Sequence, residues 1–311
     1  MIPGTTAPDW FRIPVGDWAS AALDWFKVAC KGFLDVVGFV MNWLVESLGD
    51  GLIAIPFLLL IAIFALIGWA VRSWRFALGS IVTFLLIVAM NQWENAMYTL
   101  SLVLIATLVA IAIAVPLGIW AARNDRVSAA IKPVLDFMQT MPAFVYLIPA
   151  VIFFTVGFAP GVFATIIFAL PPGVRFTELG IRGVDGETVE AGYAFGATPG
   201  EILRGIQLPL AMPTIMAGIN QVIMLALSMA VVAGMAGANG LGKEVISSIS
   251  TLNVSKGVEA GLSVVILAVF LDRVTAALGN PAEYKSSLLG VLRKQRNERT
   301  PSPAPVPAAA Q

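Results

Sequence analysis

Glu190-Ala191-Gly192-Tyr193-Ala194-Phe195-Gly196, followed after nine residues by Ile206-Gln207-Leu208-Pro209, forms a polar, small-residue island between long apolar runs. In a chain of hydrocarbon-length segments such an island must sit in water, and its content suits a surface that docks something. Asp185 is placed to cap a short helix running to Phe195, and Gly196 stands where a left-handed C-terminal stop costs least. A second helix begins at once, because Thr198-Pro199-Gly200-Glu201 has the capping-box pattern with proline at the first helical position. The island is therefore expected to be a compact helix-turn-helix.

Composition fixes the class of protein around it. The 311 residues are 58% hydrophobic and 12% charged, with a mean hydropathy of +0.87, well outside the balance of a soluble domain. Nineteen basic and 19 acidic residues leave no net charge, so a nucleic-acid partner has no electrostatic support. Histidine is absent and Cys30 is the single cysteine, which excludes an internal disulfide and removes the usual ligands of a zinc site. Most hydrolytic and redox chemistry is excluded with them. Residues 1–20 lack a central apolar run, so no cleavable signal peptide is expected.

Apolar runs of about 20 residues, the length that crosses ~30 Å of hydrocarbon, lie near 52–71, 75–91, 96–120, 134–156, 162–181, 212–235 and 258–279. The expectation is an all-α polytopic membrane protein of about seven spans. Pro171-Pro172 should break or kink the fifth. Residues 17–48 mix Trp18, Phe26, Phe33, Phe39 and Trp43 with Asp17, Asp24, Lys27, Lys31 and Asp35, the pattern of an interfacial amphipathic helix rather than a span. Basic residues gather on one side: Arg72 and Arg75, then Arg123, Arg126 and Lys132, then Arg182 and Arg204, then Lys285, Arg293, Lys294, Arg296 and Arg299. That side is expected to be cytoplasmic, with the N-terminus outside, the C-terminus inside and the island in the cytoplasm. The chain thus divides into an N-terminal extracytoplasmic or interfacial segment (1–50), two peripheral helices (51–94), a core (95–282) carrying the island at 185–209, and a basic, then Pro/Ala-rich cytoplasmic tail (283–311).

In its spacing, Glu-Ala-(Ala)-three residues-Gly-nine residues-Ile-x-Leu-Pro, the island resembles the signature of permease subunits of ABC importers. Glu190, Ala191, Gly196, Ile206, Leu208 and Pro209 match it, with Tyr193 and Ala194 between. Gly192 departs from the second alanine; it weakens the helix by up to about 1 kcal/mol, and the departure is expected to bear on the fit to the ATPase. Three further stretches, Gln139–Pro149, Phe168–Arg175 and Pro213–Gln221, resemble the osmoprotectant branch of that family. The resemblance implies a type I ABC importer transmembrane domain in a bacterial inner membrane, importing glycine betaine, proline betaine, choline or a similar quaternary amine. It also implies two ATP-binding cassette subunits that hold ATP and Mg, a second permease copy in a homodimer, and a separate extracytoplasmic binding protein. In the family the helix-turn-helix rests in a groove of the ATPase, where Tyr193 and Phe195 would be anchors. The chain itself is expected to be non-catalytic, since its nearest glycine-lysine, Gly242-Lys243, is followed by glutamate and forms no phosphate loop.

Gln139, Thr140, Phe144 and Tyr146 on the fourth span and Asn220, Gln221 and Ser228 on the sixth are candidates for the translocation path. The alternative for Asn220, Gln221 and Ser228 is interhelical hydrogen bonding, and Met224, Met229 and Met235 read as packing. Arg175 and Glu178, three apart, are expected to pair locally, and Asp272 and Arg273 to meet other helices or the interface. If such charges formed a proton relay, the chain would be an ion-coupled secondary transporter. An ABC permease for another amino-acid-like substrate is the other alternative.

Overall fold

In a computed structural model, which describes residues 13–279 together with 284, 286 and 287, the chain is helical and no strand occurs among the described residues. The helices are α1 (Val15–Ala29), α2 (Lys31–Ala54), α3 (Phe57–Val71), α4 (Trp74–Ala89), α5 (Trp93–Arg123), α6 (Asp125–Thr140), α7 (Ala143–Phe154), α8 (Phe158–Arg182), α9 (Gly186–Ala194), α10 (Pro199–Ile202), α11 (Leu208–Ala233), α12 (Leu241–Ser250) and α13 (Val254–Gly279). Five continuous helical stretches among the described residues are long and apolar enough to cross a membrane: α2, α5, α8, the run from Pro199 to Ala236 that includes α11, and α13. The bent pair α6–α7 makes a sixth if counted as one, while α3 and α4 are shorter. The expected cytoplasmic tail lies outside the described residues, apart from 284, 286 and 287.

The core is the packing of α8 between α5 and α11. Lipid tails are as apolar as leucine, so helices in a bilayer are held by close van der Waals fit, which small residues permit. A Cβ on Gly118 of α5 would lie 2.6 Å from Thr177 Cβ and 2.7 Å from the Val174 carbonyl, and one on Gly218 of α11 would lie 2.4 Å from Phe176 Cβ. Gly173 closes the same contact from α8, 2.8 Å from Ala114. Of the break or kink expected at Pro171-Pro172, no break occurs: α8 runs continuously from Phe158 to Arg182, with both prolines buried. Its neighbours on both sides hold it in place, and Thr177 Oγ1 bonds back to the Gly173 carbonyl at 2.8 Å.

Instead the break falls in the expected span 134–156. α6 and α7 meet at 98°. Met141, the residue before Pro142, is extended at φ −75° and ψ 133°, as the proline ring requires. The Met138 carbonyl near the end of α6 accepts a hydrogen bond from the Tyr146 hydroxyl. One apolar run thus becomes an elbow.

The N-terminal region is two helices joined at Cys30. Although α2 has the length of a span, its contacts place it across one end of the bundle. Leu34 packs on Phe154 and Ala159, and Asn42 Oδ1 accepts from the Ala159 N–H at 2.8 Å. Farther along, the Val45 carbonyl accepts from Ser101 Oγ at 2.6 Å, and Gly49 lies under Tyr98. Tyr98 and Phe158 are themselves neighbours, their ring centroids 5.7 Å apart. Both halves of α2 therefore meet the same end of α5 and α8. The helix also runs through the segment boundary expected at residue 50. Between α11 and α13 lies α12, whose Glu244 pairs with Lys256 at the start of α13.

Gly118→Ala should lower stability by about 1–3 kcal/mol, because the new methyl meets a backbone carbonyl that cannot yield. Gly79→Ala on α4, where nothing lies within 4 Å, should be neutral or stabilising by up to about 1 kcal/mol. Thermal unfolding of the two variants in detergent compares them.

Candidate functional site, a helical knob rooted in the bundle

Asp185 caps α9 as its position suggests. Its Oδ2 accepts from the Thr188 hydroxyl at 2.9 Å and the Thr188 N–H at 3.1 Å. These bonds hold the Asp185 carboxyl below its ordinary range. α9 ends at Ala194, and Gly196 takes the left-handed conformation at φ +82° that only glycine adopts without cost. The Gly196 N–H bonds to the Tyr193 carbonyl and the Ala197 N–H to the Gly192 carbonyl, which closes the turn.

Thr198 and Glu201 then form a complete capping box. Glu201 Oε2 accepts from the Thr198 N–H and hydroxyl, both at 2.7 Å, and Thr198 Oγ1 accepts from the Glu201 N–H at 3.4 Å. The Thr198 N–H, with its hydroxyl, keeps the Glu201 carboxyl below its ordinary range. A depressed carboxyl stabilises the folded form above its unfolded pKa and loses that effect as pH falls through the lower folded value. Both caps are therefore fully made at neutral pH.

After α10 the chain widens into one π-type turn over Leu203–Gln207, where the Leu208 N–H bonds to the Leu203 carbonyl. Pro209 explains the widening, since it has no N–H to continue an α-helical ladder and its ring needs room behind it. The path from α10 into α11 stays helical throughout.

The motif has two faces. Ile202 and Leu203 are buried, and Leu203 joins Ile181, Ala211 and Ile215 in a cluster that ties the motif to α8 and α11. Gly192 belongs to this inner face. A Cβ there would lie 2.7 Å from Ile206 Cδ1 and 3.5 Å from Ile202 Cγ1. The glycine thus concerns the motif's internal packing rather than an outward contact, contrary to the expectation from sequence. On the outer face α9 has no buried residue; Glu190, Ala191 and Ala194 are exposed, Tyr193 is 51% exposed and Phe195 93%. Phe195 projects from a turn almost free of its own protein.

The last turns of α8 are clasped to α6. Glu178, only 7% exposed, accepts from Ser128 Oγ at 2.6 Å and pairs with Arg182 Nε at 3.0 Å. Arg182 also reaches Asp125 at 2.7 Å and the Ala121 carbonyl at 2.8 Å. Arg175 pairs with Asp136 of α6, not with Glu178. The local pairing expected from the three-residue spacing fails because α6 offers an acid at one height and a hydroxyl at the other. Asp125, Ser128, Lys132 and Asp136 recur at helical spacing, a polar stripe that could have signalled this clasp.

Among the path candidates, Gln139 and Thr140 end α6 exposed, and Phe144 is 54% exposed on α7. Tyr146 is turned inward, edge-on to Phe168 and clustered with Met229 of α11. α7 and α11 are therefore neighbours. Gln221 and Ser228 are exposed two turns apart on α11, with Ser228 Oγ bonded to its own Met224 carbonyl. Asn220 is engaged between helices: its amide donates to Asp272 at 2.9 Å, and its carbonyl accepts from Thr275 Oγ1. Asp272 also lies 3.6 Å from Arg273 Nε. Met229 is buried as packing, whereas Met235 is exposed.

Comparison with known proteins gives a consistent answer. Residues 114–280 match the family described as binding-protein-dependent transport system inner membrane component. The chain is 47% identical over 264 residues to the glycine betaine transport system permease protein OpuAB of Bacillus subtilis, covering 85% of this chain and 94% of that one. It is 45% identical over 275 residues to the glycine betaine/carnitine transport permease protein GbuB of Listeria monocytogenes, covering 87% and 97%. With the glycine betaine/proline betaine permease ProW of Escherichia coli it shares 43% identity over 275 residues, covering 88% and 78%. Among solved structures, an inward-facing MetNI methionine ABC transporter aligns with a TM-score of 0.56 at 18% identity, over 61% of this chain and 95% of that one, a likeness of fold.

Thr198→Ala should ease opening of α10 by about 1 kcal/mol, read as roughly fivefold faster amide exchange at Glu201. Protection across residues 185–201 should stay level between about pH 6 and 8 and fall only below the ordinary carboxylate range. Gly192→Ala should leave the melting temperature unchanged or slightly raised, because the displaced atom is the tip of the flexible Ile206 side chain and the helix gains up to about 1 kcal/mol.

Proposed function

The chain belongs to the family of binding-protein-dependent inner membrane transport components, and from that premise we propose that it is the permease subunit of an ATP-driven importer of glycine betaine or a related quaternary amine. The observation that carries this reading is the motif: an exposed aromatic knob on a helical lever rooted in α8 and α11. Tyr193 and Phe195 offer rigid anchors to a groove on an ATPase subunit, with Glu190 available to a basic residue beside it. The small side chains of Ala191 and Ala194 let the partner approach closely.

The ATPase subunits, two per transporter, hold ATP and Mg. Their movement reaches α11 through α10 and the wide turn, and reaches α6 through α8 and its clasp. α6 in turn carries the elbow at Met141-Pro142. Two permease copies would line the pathway, with Gln139, Thr140 and Phe144 beside the elbow and Gln221 and Ser228 on α11 as candidate contacts. Tyr146 and Asn220 would support that wall from behind. An ATP-bound partner shifts the population toward one access state, and hydrolysis releases it. A separate binding protein would deliver the substrate, and the permease needs only weak contacts to pass it on. The basic side of the membrane would be the cytoplasm, with α1 and α2 at the opposite interface. The charges a secondary carrier would need as a relay are locally paired, Glu178 with Ser128 and Arg182, and Asp272 with Asn220 and Arg273.

Proteoliposomes containing the chain, its ATPase and its binding protein should take up glycine betaine only with ATP. A Tyr193→Ala, Phe195→Ala variant should bind the ATPase at least about tenfold more weakly and lose uptake while its melting temperature holds. Ion-gradient uptake by the chain alone would overturn the reading.

A further inference from the structure

The peripheral hairpin α3–α4 carries a groove that coupling does not use. It has a volume of about 370 Å³ and is lined by Ala62, Ala65, Leu66 and Trp69 from α3 and by Trp74 and Leu78 from α4. The opposite face of the hairpin is its attachment to the core, where Phe64, Phe76 and Phe84 pack around Phe270 of α13. The groove faces away from that cluster. Small alanines alternate with exposed leucine and tryptophan, which makes a channel narrow enough for one hydrocarbon chain.

At 15 and 16 residues the two helices are only about 23 Å long, shorter than ~30 Å of hydrocarbon. Trp69, Arg72, Trp74 and Arg75 gather at their connection, the residue types that anchor a short helix at headgroup depth. The two arginines there differ. Arg72 is committed within the protein: it donates to the Arg273 carbonyl at 3.5 Å and lies over Phe76 and Tyr284. Arg75 lies 5.7 Å from the ring centre of Trp74, a lining residue of the groove, and has no ion pair or hydrogen bond with any described residue. The indoles of Trp69 and Trp74 likewise donate to no described residue. A cation with no partner among the described residues, at the mouth of an apolar channel and flanked by two indole N–H donors likewise without one, is complementary to one kind of molecule.

We propose that this groove is a specific site for an anionic glycerophospholipid, with one acyl chain between α3 and α4 and the headgroup phosphate on Arg75. The guanidinium supplies two parallel donors to phosphate oxygens, and the indoles hold the ester region. The site distinguishes headgroups by charge and holds the chain by burial, so the two contributions separate by substitution. Ala62 and Arg75 are both exposed, and neither touches the aromatic cluster that anchors the hairpin.

The full-length chain is reconstituted in phosphatidylcholine vesicles in which a minor fraction of lipid is replaced by brominated phosphatidylglycerol or by brominated phosphatidylcholine. Quenching of Trp69 and Trp74 among the eight tryptophans is isolated by subtracting a Trp69→Phe, Trp74→Phe variant. Brominated phosphatidylglycerol should reach half-quenching at about one-fifth the mole fraction required of brominated phosphatidylcholine. Arg75→Gln should keep the quenching and lose the preference, and Ala62→Phe should abolish quenching of these two indoles with no change in melting temperature. Equal quenching by both lipids in the unaltered chain overturns the site. So does an undiminished preference in Ala62→Phe, and so does absence of quenching by either lipid, which would mean that protein covers the groove.

Discussion

The close approach of α5, α8 and α11 is the contact on which the rest of the structure depends. Within hydrocarbon no hydrophobic drive pushes helices together, so the bundle holds only where side chains are small enough for backbones to meet. Gly118, Gly173 and Gly218 provide that proximity, each leaving no room for a methyl group. It also explains how α8 tolerates two adjacent prolines. A helix enclosed on both sides by close neighbours stays continuous through its prolines, whereas Pro142, at the exposed junction of α6 and α7, turns the chain through 98°.

Because α8 and α11 are locked together, the two arms of the helix-turn-helix motif leave the bundle in fixed register. The motif adds its own rigidity through complete caps and an inner face of buried Ile202 and Leu203 and half-buried Ile206. What remains outward is Tyr193 and Phe195 on a support that cannot fold away from a load. Pro209 has a related effect: by forcing a wide turn without ending the helix, it keeps the connection from α10 to α11 stiff. In the proposed role, a force on the knob would reach the spans instead of being absorbed in a loop.

Charges within the bundle are joined to partners on neighbouring helices. Glu178 is buried but meets both a hydroxyl and a guanidinium, so its desolvation is offset by charge-assisted bonds. Through that clasp α6, which ends in the elbow, is tied to α8. At the far side of the bundle Asn220 plays a comparable part, joining α11 to Asp272 and Thr275 of α13.

Much of this was legible from the chain because it is local. Caps act across three residues, so Asp185, Gly196 and the pair Thr198–Glu201 announced the helix-turn-helix, and apolar run length announced the bundle and its membrane class. The spacing of Glu190, Gly196, Ile206 and Pro209 identified the family, and the fold and relatives agree. Features set by neighbours distant in sequence were not legible. Run length could not show that residues 134–156 are an elbow. Spacing suggested an Arg175–Glu178 pair because it counts only residues on the same helix, and α6 supplied better partners to both. Gly192 looked outward-facing until Ile206, fourteen positions later, proved to occupy the space of its missing methyl. The sequence by itself determined which segments are helical, where they are capped and that they belong in a bilayer, since those depend on interactions within a few residues and on transfer from water. The tertiary structure alone decided which prolines bend, which charges pair and which face of each helix is free, because each is settled by the atom that a distant segment brings alongside.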